Sequence, residues 1–209
     1  MKYSLFFVVL LASGMVSGAG SFLLESPVIV EGTDYVLQYD DGTAHWLSWG
    51  GLYRGVWFDL DDFVPYQPGC YVHYTEFWFY HHASYPWDTT SFYAELWSGD
   101  ASGPVDQFDQ TSMVATHYAP VHAYYSPDIA TGVDFWGLVN TSMSSGGWPA
   151  LLGDNSPNAT DHSFYSDDFI LWEPWIVIGG TASDYFVRVS ENFGALERES
   201  WGSIKGLFR

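Results

Sequence analysis

The sequence predicts an all-β protein: a single antiparallel β-sandwich or jelly roll behind an N-terminal signal peptide, with a short C-terminal tail. Three observations predict it. Apolar and polar residues alternate with period two in one short run after another, as Tyr35, Leu37 and Tyr39 do against Val36 and Gln38. Clusters of Gly, Pro, Asp and Ser break these runs at short spacing. Between residues 27 and 193 no apolar repeat of 3.6 residues stands out.

Residues 34–39 form the first predicted strand. Asp41-Gly42, a hairpin dipeptide, predicts a return into residues 44–49, and Gly50-Gly51 breaks the run before residues 52–60. Residues 71–81 (YVHYTEFWFYH) are a long, aromatic strand. Residues 91–97, 113–125, 132–140, 169–178 and 185–189 complete the set, bounded by pairs such as Tyr85-Pro86, Gly99-Asp100, Ser126-Pro127 and Gly179-Gly180. No repeat or low-complexity linker divides them, so residues 20–194 are expected to be one domain.

The two ends differ from this body. Met1-Lys2, the apolar run over residues 5–12 (LFFVVLLA) and small residues at Ser17 and Ala19 predict a signal peptide over residues 1–19, cleaved after Ala19. Ser13 and Gly14 interrupt the run well short of the roughly 20 residues a spanning helix needs, so no transmembrane segment is expected once the peptide is removed. The expected location is secreted, extracellular or on the cell surface. Residues 195–209 (ALERESWGSIKGLFR) place Leu196, Ile204 and Phe208 at multiples of four, with Ser200 positioned to cap a short helix from Trp201. Gly202 and Gly206 weaken that helix, so the tail reads as a marginal helix or an ordered docked segment, the alternative being a frayed terminus. In either form Trp201 and Ile204 would dock on a surface, with Lys205 and Arg209 meeting carboxylates.

Charge separates tail from body. Beyond residue 19 there are five basic residues against 25 acids, a formal charge of −20, and three of the five lie in the last twelve positions. So acidic a surface repels phosphate backbones, which argues against nucleic acid as a partner and leaves a glycan or a cell-surface protein. Cys70 is the single cysteine, so the chain forms no internal disulfide, and its apolar setting reads as a small buried hydrophobe.

Residues 39–59 (YDDGTAHWLSWGGLYRGVWFD), together with Gly153-Asp154-Asn155-Ser156-Pro157, His162-Ser163-Phe164-Tyr165 and residues 184–189 (DYFVRV), resemble a β-sandwich module. That module recurs in secreted proteins of environmental bacterial lineages, often as an accessory unit of larger surface proteins or beside secreted peptidases. The ending SWGSIKGLFR is similar to short Trp-Gly-x-Ile-Lys tails on exported proteins of such lineages. The resemblance implies a fold and a compartment and carries over no catalytic residue.

The chemistry legible in the residues is sparse. None of the seven histidines sits in a His-x-x-x-His or Cys/His pair, and no Gly-x-Ser-x-Gly elbow is present. Asp154, Ser156 and Asn158 alternate along a loop that ends at Asp161, as oxygen ligands do in calcium loops. Ala159 and Tyr165 break the EF-hand pattern, and the alternative is a polar loop shaped by Asx turns. The eleven Trp exceed what one sandwich core usually holds, so some should reach the surface. The loop-borne Tyr85, Trp87 and Trp148 are the candidates to stack on sugar rings. Together these features predict a non-catalytic extracellular binding or cell-surface structural module that takes carbohydrate on exposed aromatics. The alternative is a secreted carbohydrate-active hydrolase using paired carboxylates such as Asp40/Asp41, Asp59/Asp61/Asp62 or Asp167/Asp168.

Overall fold

A computed structural model describes residues 35–64, 67–155, 161–176 and 183–192. The signal peptide at residues 1–19 and the whole tail, with Trp201, Ile204, Lys205 and Arg209, lie outside the described residues. The strands are β1 (Tyr35–Leu37), β2 (Trp46–Ser48), β3 (Tyr53–Asp59), β4 (Tyr71–Trp78), β5 (Ser91–Asp100) and β6 (Gly103–Val114). They continue as β7 (Pro120–Ala130), β8 (Asp134–Asn140), β9 (Leu151–Gly153), β10 (Ser163–Ser166), β11 (Glu173–Pro174) and β12 (Val187–Asn192). A 3-10 turn over Leu60–Asp62 is the one helical element among the described residues, and no helix there is long and apolar enough to cross a membrane.

The strands pair antiparallel in three sheets: β1-β12-β4-β7, β11-β10-β3-β8-β5-β6 and the small pair β2-β9. Alternation along each strand sends one set of side chains inward. Val56 and Phe58 of β3, Phe92, Ala94 and Leu96 of β5, and Phe135 and Val139 of β8 meet the other sheet's Leu37, Val72, Phe77, Val121, Ala123, Val187 and Val189 in one buried core. The two sheets approach so closely at Gly137 that a Cβ there would lie 3.2 Å from Val187 and 3.3 Å from Thr75. The expected all-β sandwich is therefore the fold.

The excess of tryptophan is absorbed in two further clusters. On the outer face of the six-stranded sheet, Trp136, Leu138 and Phe164 are buried beneath Phe169 and Trp172 of the following loop. On the outside of the four-stranded sheet, β2-β9 lays Leu47, Ala150 and Leu152 over Phe186, with Trp49, Trp78, Tyr80 and Trp148 half-buried around them.

Several predicted elements need correction. Asp41-Gly42 turns the chain, with Gly42 at φ 78°, but joins no hairpin: β1 pairs with β12 and β2 with β9. The turn is closed by its own side chains, Gly42 N–H to Asp40 and Thr43 N–H to Asp41, so it needs no strand pair to form. Residues 113–125 are two strands in different sheets, separated where Tyr118 adopts φ 51°. Among the described residues 169–176, only Glu173 and Pro174 form a strand, with Ile176 in a single bridge, because Ser166 and Asp168 accept the N–H groups of Phe169, Ile170 and Leu171 in a tight loop. Most of β6, together with β9 and β10, had no counterpart in the prediction: β6 is a largely exposed edge strand whose pattern is mostly polar, and the other two are only three and four residues long.

The first and last described strands lie side by side, Tyr35 opposite Glu191, while Asn192 pairs with Tyr71 at the start of β4.

Candidate functional site

The site is built on one inward-facing cation. Arg54 shares its strand face with Val56 and Phe58, and it is fully buried. Its guanidinium donates to three backbone carbonyls, those of Ser48, Gly147 (2.7 Å) and Pro149 (3.1 Å). Burial lowers its pKa to about 10, so it stays charged at neutral pH. Ser48 precedes Trp49, and Gly147 and Pro149 flank Trp148. The buried fork therefore holds the backbone beneath two tryptophans from two different loops.

A second clamp closes the same loops from outside. The Asp88 carboxylate accepts from Ser144 Oγ (2.8 Å), Ser145 N–H (2.8 Å) and Ser145 Oγ (2.6 Å). Ser144 Oγ in turn accepts from the N–H groups of Gly146 and Trp148. Gly147 lies at φ 78°, and a Cβ there would stand 2.2 Å from the Trp49 carbonyl, so only glycine allows the two loops to meet.

These constraints present a half-exposed shelf. Trp49 stacks on Tyr85 at 5.3 Å and 29° and on Trp148 at 5.2 Å and 22°. Two of the three aromatics selected from the sequence, Tyr85 and Trp148, are thus brought together, with Trp49 as the link. The third, Trp87, lies apart: its ring meets Phe79 and His81 at the core margin, and its indole N–H is buried without an acceptor. Sequence reasoning passed over Arg54 and Trp49. Arg54 was findable, since its parity with Val56 and Phe58 puts a lone cation on a core face.

Below the shelf, the outer face of the four-stranded sheet carries more rings at alternate positions of β4. Trp78 donates its indole N–H to Glu76 (2.7 Å), which also meets His122 of β7 (2.8 Å) and Arg188 of β12 (3.3 Å). Arg188 is fixed by a two-pronged pair with buried Asp40 (2.6 and 2.9 Å) and sits 5.1 Å over Phe186. Tyr74 packs edge-on against His122 at 4.8 Å and Tyr124 at 5.3 Å. Tyr118 meets Trp78 at 6.3 Å and Tyr80 at 5.8 Å. Period two in residues 74–80 is the sequence signal that marks this row.

Five of the carboxylates weighed for hydrolysis or metal binding, Asp40, Asp59, Asp62, Asp154 and Asp168, help hold the fold together. Asp40 binds Arg188, Asp59 caps the 3-10 turn, Asp62 accepts from Tyr39 and faces His162, and Asp168 closes its own loop. Glu95, also buried, accepts from Asn140 (2.6 Å), Gln110 (2.9 Å) and Trp97 (2.8 Å). Asp154 is fully buried, its two oxygens taking the N–H groups of Asp41 (3.0 Å) and Asp184 (2.8 Å), which staples three chain segments. Asp161 is exposed, and Ser156 and Asn158 lie outside the described residues. Among the described residues no group of three or more His, Cys, Asp or Glu is arranged to hold a metal ion.

Chemically, the shelf offers three half-exposed rings on a backbone locked from two sides. Such surfaces suit ligands that are apolar on one face and hydroxylated at the edge. Comparison with family models, curated proteins and solved structures finds no match for this chain.

Proposed function

We propose that this domain is a non-catalytic extracellular binding module that holds carbohydrate on the shelf of Trp49, Tyr85 and Trp148. The observation that carries the proposal is the stack itself, pinned from within by Arg54 and from outside by Asp88. Side chains fixed before the ligand arrives lose little freedom on binding, which is how a small contact gains affinity. Binding is favoured over hydrolysis because Asp40, Asp59, Asp62 and Asp168 are committed to turns, caps and ion pairs. The extracellular setting is supported by the signal-peptide pattern of residues 1–19.

Affinity electrophoresis through gels containing soluble neutral polysaccharides tests this. Wild-type protein should be retarded by at least one of them, and Trp49→Ala should weaken that interaction at least ten-fold, about 1.4 kcal/mol, while keeping a β-type circular dichroism spectrum. Equal mobility of wild type and Trp49→Ala in every gel would overturn the assignment.

A further inference from the structure

The shelf is one end of a longer row of rings. From Tyr85, ring contacts lead through His82 to Tyr80, then Tyr118 and Trp78. Glu76 bridges the Trp78 indole to His122, beyond which stand Tyr74 and Tyr124. Every ring on this route is half-exposed or exposed, and Tyr118 and Tyr124 are 56% and 63% exposed. Tyr74 to Tyr80 alone spans about 20 Å at the rise of an antiparallel strand.

Tyr118 points to use rather than packing. It adopts φ 51°, a left-handed conformation that a bulky aromatic rarely occupies and that is strained for it. Its N–H bonds the Phe79 carbonyl (2.8 Å), and the ring it projects, though mostly exposed, joins the shelf to the sheet face. Strain of this kind persists where the surroundings impose it, and it gathers at ligand-binding sites.

We propose, resting on the carbohydrate reading above, that the ligand path continues from the shelf across Tyr118 and down the outer face of the four-stranded sheet. The domain then grips several consecutive sugars within a single chain. The charge of −20 beyond residue 19 selects against polyanionic glycans, leaving neutral ones. A straight row along strands fits an extended, ribbon-like β-1,4-linked chain, whereas a coiled glycan would leave it. Successive rings on the route are tilted by 36° to 84° rather than coplanar, so each sugar meets a differently turned face. A free, twisting chain can follow that row. The flat surface of a crystalline polymer cannot.

Calorimetric titration with cello-, xylo- and chito-oligosaccharides from dimer to hexamer, alongside pull-down on crystalline cellulose, tests the path. In one ladder affinity should climb with every added unit beyond the trimer, and crystalline cellulose should retain little of the protein. Tyr124→Ala and Tyr118→Asn should weaken the hexamer at least five-fold and leave the dimer unchanged, whereas Trp49→Ala should weaken both. Tyr118→Asn should also melt no lower than wild type, because asparagine tolerates the left-handed backbone. A lower melting point with hexamer affinity intact would assign Tyr118 a packing role and overturn the path. An affinity that plateaus at the dimer, sensitive to Trp49→Ala alone, would refute the path and keep the shelf. No binding in any ladder would overturn the path, and only equal mobility in every polysaccharide gel would overturn the shelf as well.

Discussion

Replacing Arg54 by Met keeps most of the buried stem and removes the charged fork. Three carbonyls then lose their donor. Hydrogen bonds to a charged group are worth about 1.5–3 kcal/mol each, a gross loss of roughly 5–9 kcal/mol. Against this stands the desolvation of a fully buried cation, several kcal/mol, which the variant no longer bears. The net cost should be about 3 kcal/mol, a factor of roughly 150 in the folding equilibrium. For a domain of this size that lowers the melting temperature by roughly 6–12 °C. Urea unfolding followed by tryptophan fluorescence measures it, with an unchanged denaturant slope as the sign that only stability moved. Because the freed carbonyls belong to Ser48, Gly147 and Pro149, affinity for the proposed glycan ligand should fall as well, even where the variant is fully folded. Arg54→Lys should be intermediate, since an ammonium cannot reproduce the planar fork. A variant Arg54→Met that melts within about 2 °C of wild type and binds as tightly would refute the claim that this cation holds the shelf.

Two other expectations follow from titrating groups. The Asp88 carboxyl is held below its ordinary value of 3.8, chiefly by the Ser145 hydroxyl, so its clamp is at full strength above that value and is lost as pH falls through the lower folded value. Near-ultraviolet circular dichroism should therefore show the tryptophan loops loosening only below the ordinary aspartate range, and Asp88→Asn should show the loosened signal at neutral pH. If Asp88→Asn leaves the neutral signal unchanged, the clamp is not structural. Burial pushes the Cys70 thiol up to about 12, so it should resist a thiol-reactive dye at pH 8 until denaturant is added. Stoichiometric labelling of the native protein within minutes would contradict that burial.

The fold class was legible because period two is imposed by the strand itself and the core positions of β3 and β5 follow it, whereas β8 is buried on both faces and a bulge interrupts β4 between Val72 and Tyr74. Partnership between strands was not. Asp41-Gly42 carries a strong local turn signal, yet which strand lies beside β1 is decided 150 residues later, where β12 supplies Val189 and Glu191. Edge strand β6 was obscured because exposed positions carry no apolar rhythm, and β9 because three residues cannot display one. The site was half legible for the same reason. Loop position marks Tyr85 and Trp148 as presentable, but that Trp49 joins them depends on Gly147 allowing two distant loops to touch. Trp87, equally loop-borne in sequence, turns toward the core instead.

The chain enters the described domain at Tyr35 and leaves it at Asn192 on adjacent strands, beside Tyr71. Trp78, at the other end of β4, borders the shelf, about 25 Å away at strand rise. The domain is thus bipolar, with both covalent connections at one pole and the aromatic shelf at the other. Whatever continues the chain on either side, the shelf faces away from the point of attachment, like a hand held out on two wrists. Load passing from Tyr35 to Asn192 runs through the β1-β12 ladder without reaching Trp49.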